Sequence, residues 1–226
     1  MKTTITDYLK LERPLIIFDL ETTGLSKEED KILEIAYERI MPDGTIEAKV
    51  QRLNPGRDIP DDASRINGIY IDDVKDCPVF ATLAFELWSM FDGADVGGFN
   101  VVGFDLPFMK AQFSSVGKNF DFSNCKILDA KVLYHAKAPR DMFAPRNLTA
   151  AYKLYCGKDH INAHTGAADV RATVEILEAI LEQYPEFRDW DKIKEMHSNK
   201  SILETVKNEH ASLEETIAQR EKNSLF

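Results

Sequence analysis

The chain has 226 residues, 44% of them apolar, with 28 basic and 38 acidic side chains and a formal net charge of −10. This composition excludes wholesale disorder, and the overall acidity argues against a protein whose entire surface grips a polyanion. Cys77, Cys125 and Cys156 are too few and too widely spaced for a disulfide framework or a cysteine zinc site, the stretch before Pro14 has no signal-peptide core, and no apolar run reaches membrane-spanning length, so the expectation is a cytoplasmic protein without a membrane partner.

The first element is Leu15-Ile16-Ile17-Phe18-Asp19-Leu20-Glu21, closed by Thr22-Thr23-Gly24. A run of branched and aromatic residues ending in turn residues reads as a buried strand. Residues two apart on a strand share a face, so Asp19 and Glu21 aim their carboxylates at one place. No Lys or Arg lies within five residues of either, so a hard divalent cation with oxygen ligands is the natural counter-charge; the alternative is a carboxylate that points to solvent at the strand's end, and the rest of the chain decides between them.

Ile32 to Met41 follows as a second strand, with Leu33, Ile35 and Tyr37 on one side, and Pro42-Asp43-Gly44 turns the chain. From Thr45 to Leu53 the pattern alternates, with Ile46, Ala48 and Val50 on one face and Glu47, Lys49 and Gln51 on the other. These three strands make an antiparallel meander. A short helix is expected over Asp62–Asn67, ending at Gly68, and a longer one from Pro78 to Phe91 with Val79, Leu83, Leu87 and Met90 as its apolar stripe. A strand over Asp95–Asn100 leads to a helix with Pro107 in its first turn and Asp105 at its mouth. Cys125–Leu128 reads as a fifth strand, followed by helices near Ala130–His135 and Leu148–Tyr155. The last core helix runs over Thr165–Tyr184 with Val170, Val174, Leu177 and Leu181 on one face. Strands in a meander that then alternate with helices indicate a mixed α/β sheet.

Two further acids stand out. Asp105 sits in a glycine-bearing stretch, Gly97-Gly98-Phe99-Asn100-Val101-Val102-Gly103-Phe104-Asp105, at a helix N-terminus. Asp169 lies near the start of the last helix, with His164 just before it and small residues between them that allow tight packing on a sheet. His135, His160, His197 and His210 have no such context and read as surface or core histidines. Between Lys126 and Lys158 the balance inverts: Lys126, Lys131, Lys137, Arg140, Arg146, Lys153 and Lys158 face only Asp129 and Asp141. On charge counting alone this segment reads as a set of solvated helix faces, with a phosphate-holding face as the alternative.

Asp19-x-Glu21, then Asp105 in its Asn-x-x-x-x-Asp-x-Pro-Phe setting, then His164-x-x-x-x-Asp169 resemble, in order, the three motifs of the DEDDh 3′–5′ exonucleases, the family of polymerase III epsilon subunits, ribonuclease T and oligoribonuclease. Phe18-Asp19-Leu20-Glu21-Thr22-Thr23-Gly24, Ile66-Asn67-Gly68-Ile69 and Leu128-Asp129-Ala130 extend the likeness from Pro14 to Tyr184, and Thr165 stands where the sister branch carries tyrosine. Asn100 precedes Asp105 by five residues, where many members have four. The resemblance implies a ribonuclease H-like five-stranded mixed sheet flanked by helices, with an exonuclease domain over 1–185; beyond Pro185 the polar, helix-favouring sequence reads as a helical C-terminal extension over 186–226. The resemblance also implies two Mg²⁺ or Mn²⁺ ions held by Asp19, Glu21, Asp105 and Asp169, with Asp19 bridging them, and His164 as general base. Thr22 and Thr23 would hold the terminal nucleotide, Leu25 would wedge against its base, and Asn100 would contact the strand. The partner implied is a single-stranded 3′ end, DNA ahead of RNA, with a DNA polymerase a candidate protein partner. A binding module that has lost catalysis is the rival expectation.

Overall fold

The computed structural model describes residues 3–137, 146–161, 165–199 and 202. A short helix, α1 (Ile5–Tyr8), precedes β1 (Leu15–Thr22), and β2 (Ile32–Ile40) and β3 (Ile46–Arg52) complete the expected antiparallel meander. Then come α2 (Asp61–Asn67), α3 (Ile71–Val74), α4 (Phe80–Phe91), β4 (Asp95–Gly98), α5 (Asp105–Ser115), β5 (Ile127–Asp129) and α6 (Ala130–Lys137). The chain continues through α7 (Leu148–Cys156), α8 (Gly166–Gln183), a 3-10 turn at Pro185–Arg188 and α9 (Trp190–His197). The sheet order is β3-β2-β1-β4-β5, and β4 lies parallel to both β1 and β5. No helix among the described residues is long and apolar enough to cross a membrane.

β1 is central and covered on both faces, which is why it reads as an unbroken apolar run. Leu15 and Ile17 point into a core formed with α6, α8 and α9. Ile16, Phe18 and Leu20 point the other way, into a core with α4 and α5. The strand's period of two therefore puts Asp19 and Glu21 on the same side as α8. The stripe Val170, Val174, Leu177 and Leu181 of α8 is buried as expected. Ile193 of α9 and Phe187 before it are buried in that same core, so the chain beyond residue 185 helps to seal it.

Several expectations shift. In α4 the buried stripe is Phe80, Ala84, Leu87 and Phe91, while Val79 is exposed. Leu83 and Met90 pack only partly buried on the margin of that core, because the packing against β1 and α5 turns Phe80, Ala84 and Phe91 inward beside Leu87. β2 is buried on both faces, since Ile32, Leu33, Ile35 and Ala36 are all inside. On β3 the apolar alternation misleads: Val50 is 45% exposed. β3 is the sheet's edge, and the main helix on that side, α8, packs its buried residues over β1 and β2. The fifth strand begins at Ile127 rather than Cys125, and α1 and α3, each four residues long, have no periodic signal to find. All three cysteines are free.

Close approach of α8 to the sheet depends on Gly166. A Cβ there would stand 2.8 Å from Cβ of Ala36 and 2.9 Å from Oε1 of Glu34, too near for any side chain. Two small residues facing one another let the first turn of α8 lie directly on β2.

Candidate active site

The end of β1 and the start of α8 bring Asp19, Glu21 and Asp169 together, with one carboxylate oxygen from each lying within 4.8 Å of the others. Asp169 is buried in the first turn of α8, brought down by the Gly166 contact. Asp105, the first residue of α5, is 2% exposed and lies outside that trio. Its Oδ1 accepts a hydrogen bond of 3.1 Å from the backbone N–H of Leu20, between the two β1 acids.

The electrostatics of the cluster are unfavourable without a counter-charge. Burial, then Asp169 and Glu34, push the Asp19 carboxyl well above the usual carboxylate range. Glu21 is pushed up to about 9 by burial, then by Asp19, Asp169 and Glu34. Burial and then Asp19 raise Asp105 as well, against the backbone N–H groups that favour its charged form. Carboxylates crowded in this way must either take up protons or share a cation. An all-oxygen donor set of this kind suits a hard divalent ion, so the residues fit the metal that the sequence motifs imply.

A fifth carboxylate was not singled out from the sequence. Glu34 lies directly across from Glu21 in the β1–β2 register, and Arg52 lies directly across from Glu34 on β3. Arg52 Nε donates to Glu34 Oε2 at 3.0 Å. The basic side chain in this cross-strand row is thus engaged with Glu34, one strand away from Asp19 and Glu21. The alternation of β2 placed Glu34 on a face, but only the register shows which residue it meets.

The remaining expected residues fall differently. Thr22 Oγ1 donates to the Gly24 carbonyl at 2.6 Å, and Thr23 Oγ1 donates to Asp30 at 2.9 Å, so both hydroxyls shape the turn itself. The Thr22 carbonyl accepts from Asn67 Nδ2 at 3.2 Å, which ties α2 to the mouth of the site. Leu25 is half-buried beside that turn. Asn100 has φ 69°, a left-handed conformation that asparagine tolerates better than most residues. Its backbone N–H and that of Val102 donate to the two oxygens of fully buried Asp129, at 3.1 and 3.0 Å. Asp129 therefore holds the loop that delivers Asp105, and His197 of α9 accepts from the Asp129 backbone N–H at 3.4 Å. His164 lies outside the described residues, as do Arg140 and His210. His160, read from the sequence as a surface or core histidine, instead lies against Asp169, with Nε2 3.1 Å from Oδ1.

The basic segment does not present its lysines free. Lys126 pairs with Glu12 at 3.3 Å, Lys137 pairs with Glu186, and Lys153 and Lys158 reach Asp159 and Glu175 at 2.8 and 2.7 Å. Lys131 is buried, and Arg146 lies 2.8 Å from His135. Intramolecular acids, invisible to a charge count along one segment, meet much of its excess.

Comparison with known proteins places these features in a family. The RNase_T family model, described as an exonuclease, matches residues 16–177. DNA polymerase III subunit epsilon of Treponema pallidum is 29% identical over 167 residues, covering 73% of this chain and 74% of that protein. The 3′-5′ exonuclease DinG of Bacillus subtilis is 29% identical over 171 residues, but this chain spans only 18% of it. Among solved structures, E. coli exonuclease I in complex with a dA16 oligonucleotide superposes with a TM-score of 0.70 at 20% identity, over 86% of this chain and 45% of that one. A zinc-bound form of E. coli exonuclease I with single-stranded DNA gives 0.66 at 22% identity, over 77% of this chain and 42% of the other. These structural likenesses establish the shared fold.

Proposed function

Since the chain belongs to the RNase_T exonuclease family, we propose that it is a metal-dependent 3′–5′ exonuclease that shortens single-stranded DNA ends and releases 5′-mononucleotides. The observation that carries this reading is the meeting of Asp19, Glu21 and Asp169 within 4.8 Å on one side of β1. Two strands of support join it: Asp105 bonded to the backbone between the β1 acids, and raised pKa values at Asp19, Glu21 and Asp105.

In this proposal Asp19, Glu21 and Asp169 hold Mg²⁺ or Mn²⁺, and Asp105 completes the acidic wall of a two-ion site. Ions held there would supply Lewis acidity at the phosphate and activate water for attack. The protein's own part is to fix the ligands and to move the proton. Asp105 is locked by the Leu20 N–H and by the Asp129-anchored loop. His164, five residues before Asp169, takes the proton of the attacking water as general base. The Thr22–Leu25 turn, braced by Asn67, receives the terminal nucleotide. The epsilon relative makes a DNA polymerase the candidate protein partner.

Digestion of matched 5′-labelled DNA and RNA oligonucleotides, single- and double-stranded, with Mg²⁺, Mn²⁺ or EDTA, tests the proposal. Stepwise 3′ shortening of single-stranded DNA that stops in EDTA and in Asp19→Ala is expected. Full activity of Asp19→Ala would end the reading, and faster loss of RNA would reassign the substrate to an exoribonuclease.

A further inference from the structure

His160 is not one of the motif residues, yet its surroundings are specific. The imidazole packs edge-on against Tyr152, with centroids 5.5 Å apart and planes at 62°. The Tyr152 hydroxyl donates to Glu175 Oε2 on α8 at 2.8 Å. The histidine side chain is 4% exposed, and neither ring nitrogen has a hydrogen-bond partner among the described residues. Its Nε2 lies 3.1 Å from Asp169 Oδ1, at bonding distance but out of line for a hydrogen bond.

A buried polar group left unused is destabilising by roughly 1–3 kcal/mol. A phenyl ring would fill the same space against Tyr152 without that penalty. The nitrogen facing Asp169 is the feature that packing does not explain. A carboxylate that ligates a metal can offer either oxygen and rotate about its Cβ–Cγ bond, so a donor on the non-ligating oxygen selects one orientation.

We infer that His160 is a positioning residue for Asp169: its imidazole presents Nε2–H to Oδ1 and fixes the carboxylate toward the shared cation site, while Tyr152 and Glu175 fix the ring. This inference rests on the metal-site reading above. The role is separate from the proton transfer assigned to His164. The 3.1 Å separation is already within hydrogen-bond distance, so the contact needs only a change of angle at Nε2.

The test is Mn²⁺ binding to the full chain at fixed pH, followed by electron paramagnetic resonance of the free ion, for wild type, H160F and H160Q, with circular dichroism melts alongside. H160F keeps an aromatic ring on Tyr152 but has no donor, and should weaken Mn²⁺ binding by roughly 10–100-fold. H160Q restores an N–H at similar reach and should recover most of that loss. Wild-type affinity in H160F, or H160Q as weak as H160F, would overturn the inference. If H160F does not fold, H160N and H160Q replace the comparison: both are amides, but asparagine is one methylene shorter, and equal affinities would again overturn the positioning role. A wild-type chain that binds no Mn²⁺ would refute the metal site itself, which separates that failure from this one.

Discussion

Replacing Glu21 by glutamine should make the metal-free protein more stable while abolishing its activity. The Glu21 carboxyl is raised from 4.5 to about 9 in the folded chain, by burial first and then by Asp19, Asp169 and Glu34. A raised carboxyl favours folding fully below pH 4.5, where both states are protonated. Between that pH and about 9 the unfolded chain gives up its proton while the folded one retains it, so stability falls as pH rises. Near pH 7.5, three units above 4.5, the linkage loss reaches about 4 kcal/mol at most. Solvent at the partly open site reduces this toward roughly 2 kcal/mol. Glutamine is nearly isosteric and does not titrate, so it removes this slope. Melting followed by fluorescence in EDTA, from pH 4 to 9, should show the two proteins alike at the acid end. Near pH 7.5 the variant should be higher by about 4–16 °C, at 2–4 °C per kcal/mol for a chain of this size. Excess Mg²⁺ should narrow the gap, because an ion bound only to the folded wild type stabilises it by mass action. Parallel pH profiles for the two proteins, or a less stable variant at pH 7.5, would refute the argument that burial and the neighbouring acids raise the Glu21 carboxyl.

Three other outcomes follow from the same geometry. His164→Ala should lower turnover by roughly 10²–10⁴-fold, the range for a general base, with Mn²⁺ affinity nearly unchanged; single-turnover kinetics and a metal titration check both halves. Gly166→Ala puts a methyl 2.8 Å from Ala36 Cβ, so urea unfolding should show a loss of about 1–3 kcal/mol, with metal affinity falling because Asp169 moves with α8. Asp129→Asn replaces one oxygen that holds the Asn100–Val102 loop with an amide donor facing a donor. It should destabilise the fold by about 1–3 kcal/mol and reduce activity through Asp105, which assays at saturating Mg²⁺ would detect.

The β1 acids were legible because a two-residue spacing on a strand is a statement about direction, and the structure keeps it: Asp19 and Glu21 share the side that faces α8. Asp169 was legible for a related reason, since small residues around it permit the close contact made by Gly166 and Ala36. The basic segment's net charge could not be read from the chain alone, because charge along a chain says nothing about which acids fold onto it; Glu12, Glu186 and Glu175 come from other elements. The α4 stripe was offset because neighbouring apolar residues at 79/80, 83/84 and 90/91 offer two adjacent faces, and only packing against the sheet decides which turns inward.

What the chain order alone determined is which residues carry charge, which runs must be buried, and which side of a strand each side chain takes, because these depend on covalent geometry and local periodicity. Tertiary structure decided who stands opposite whom. The Glu21–Glu34–Arg52 row exists only once three strands adopt their register, and the His160–Asp169 contact only once α7 and α8 pack side by side. Long-range pairings of that kind arise from the shared core that brings distant segments into contact, and no local pattern encodes them.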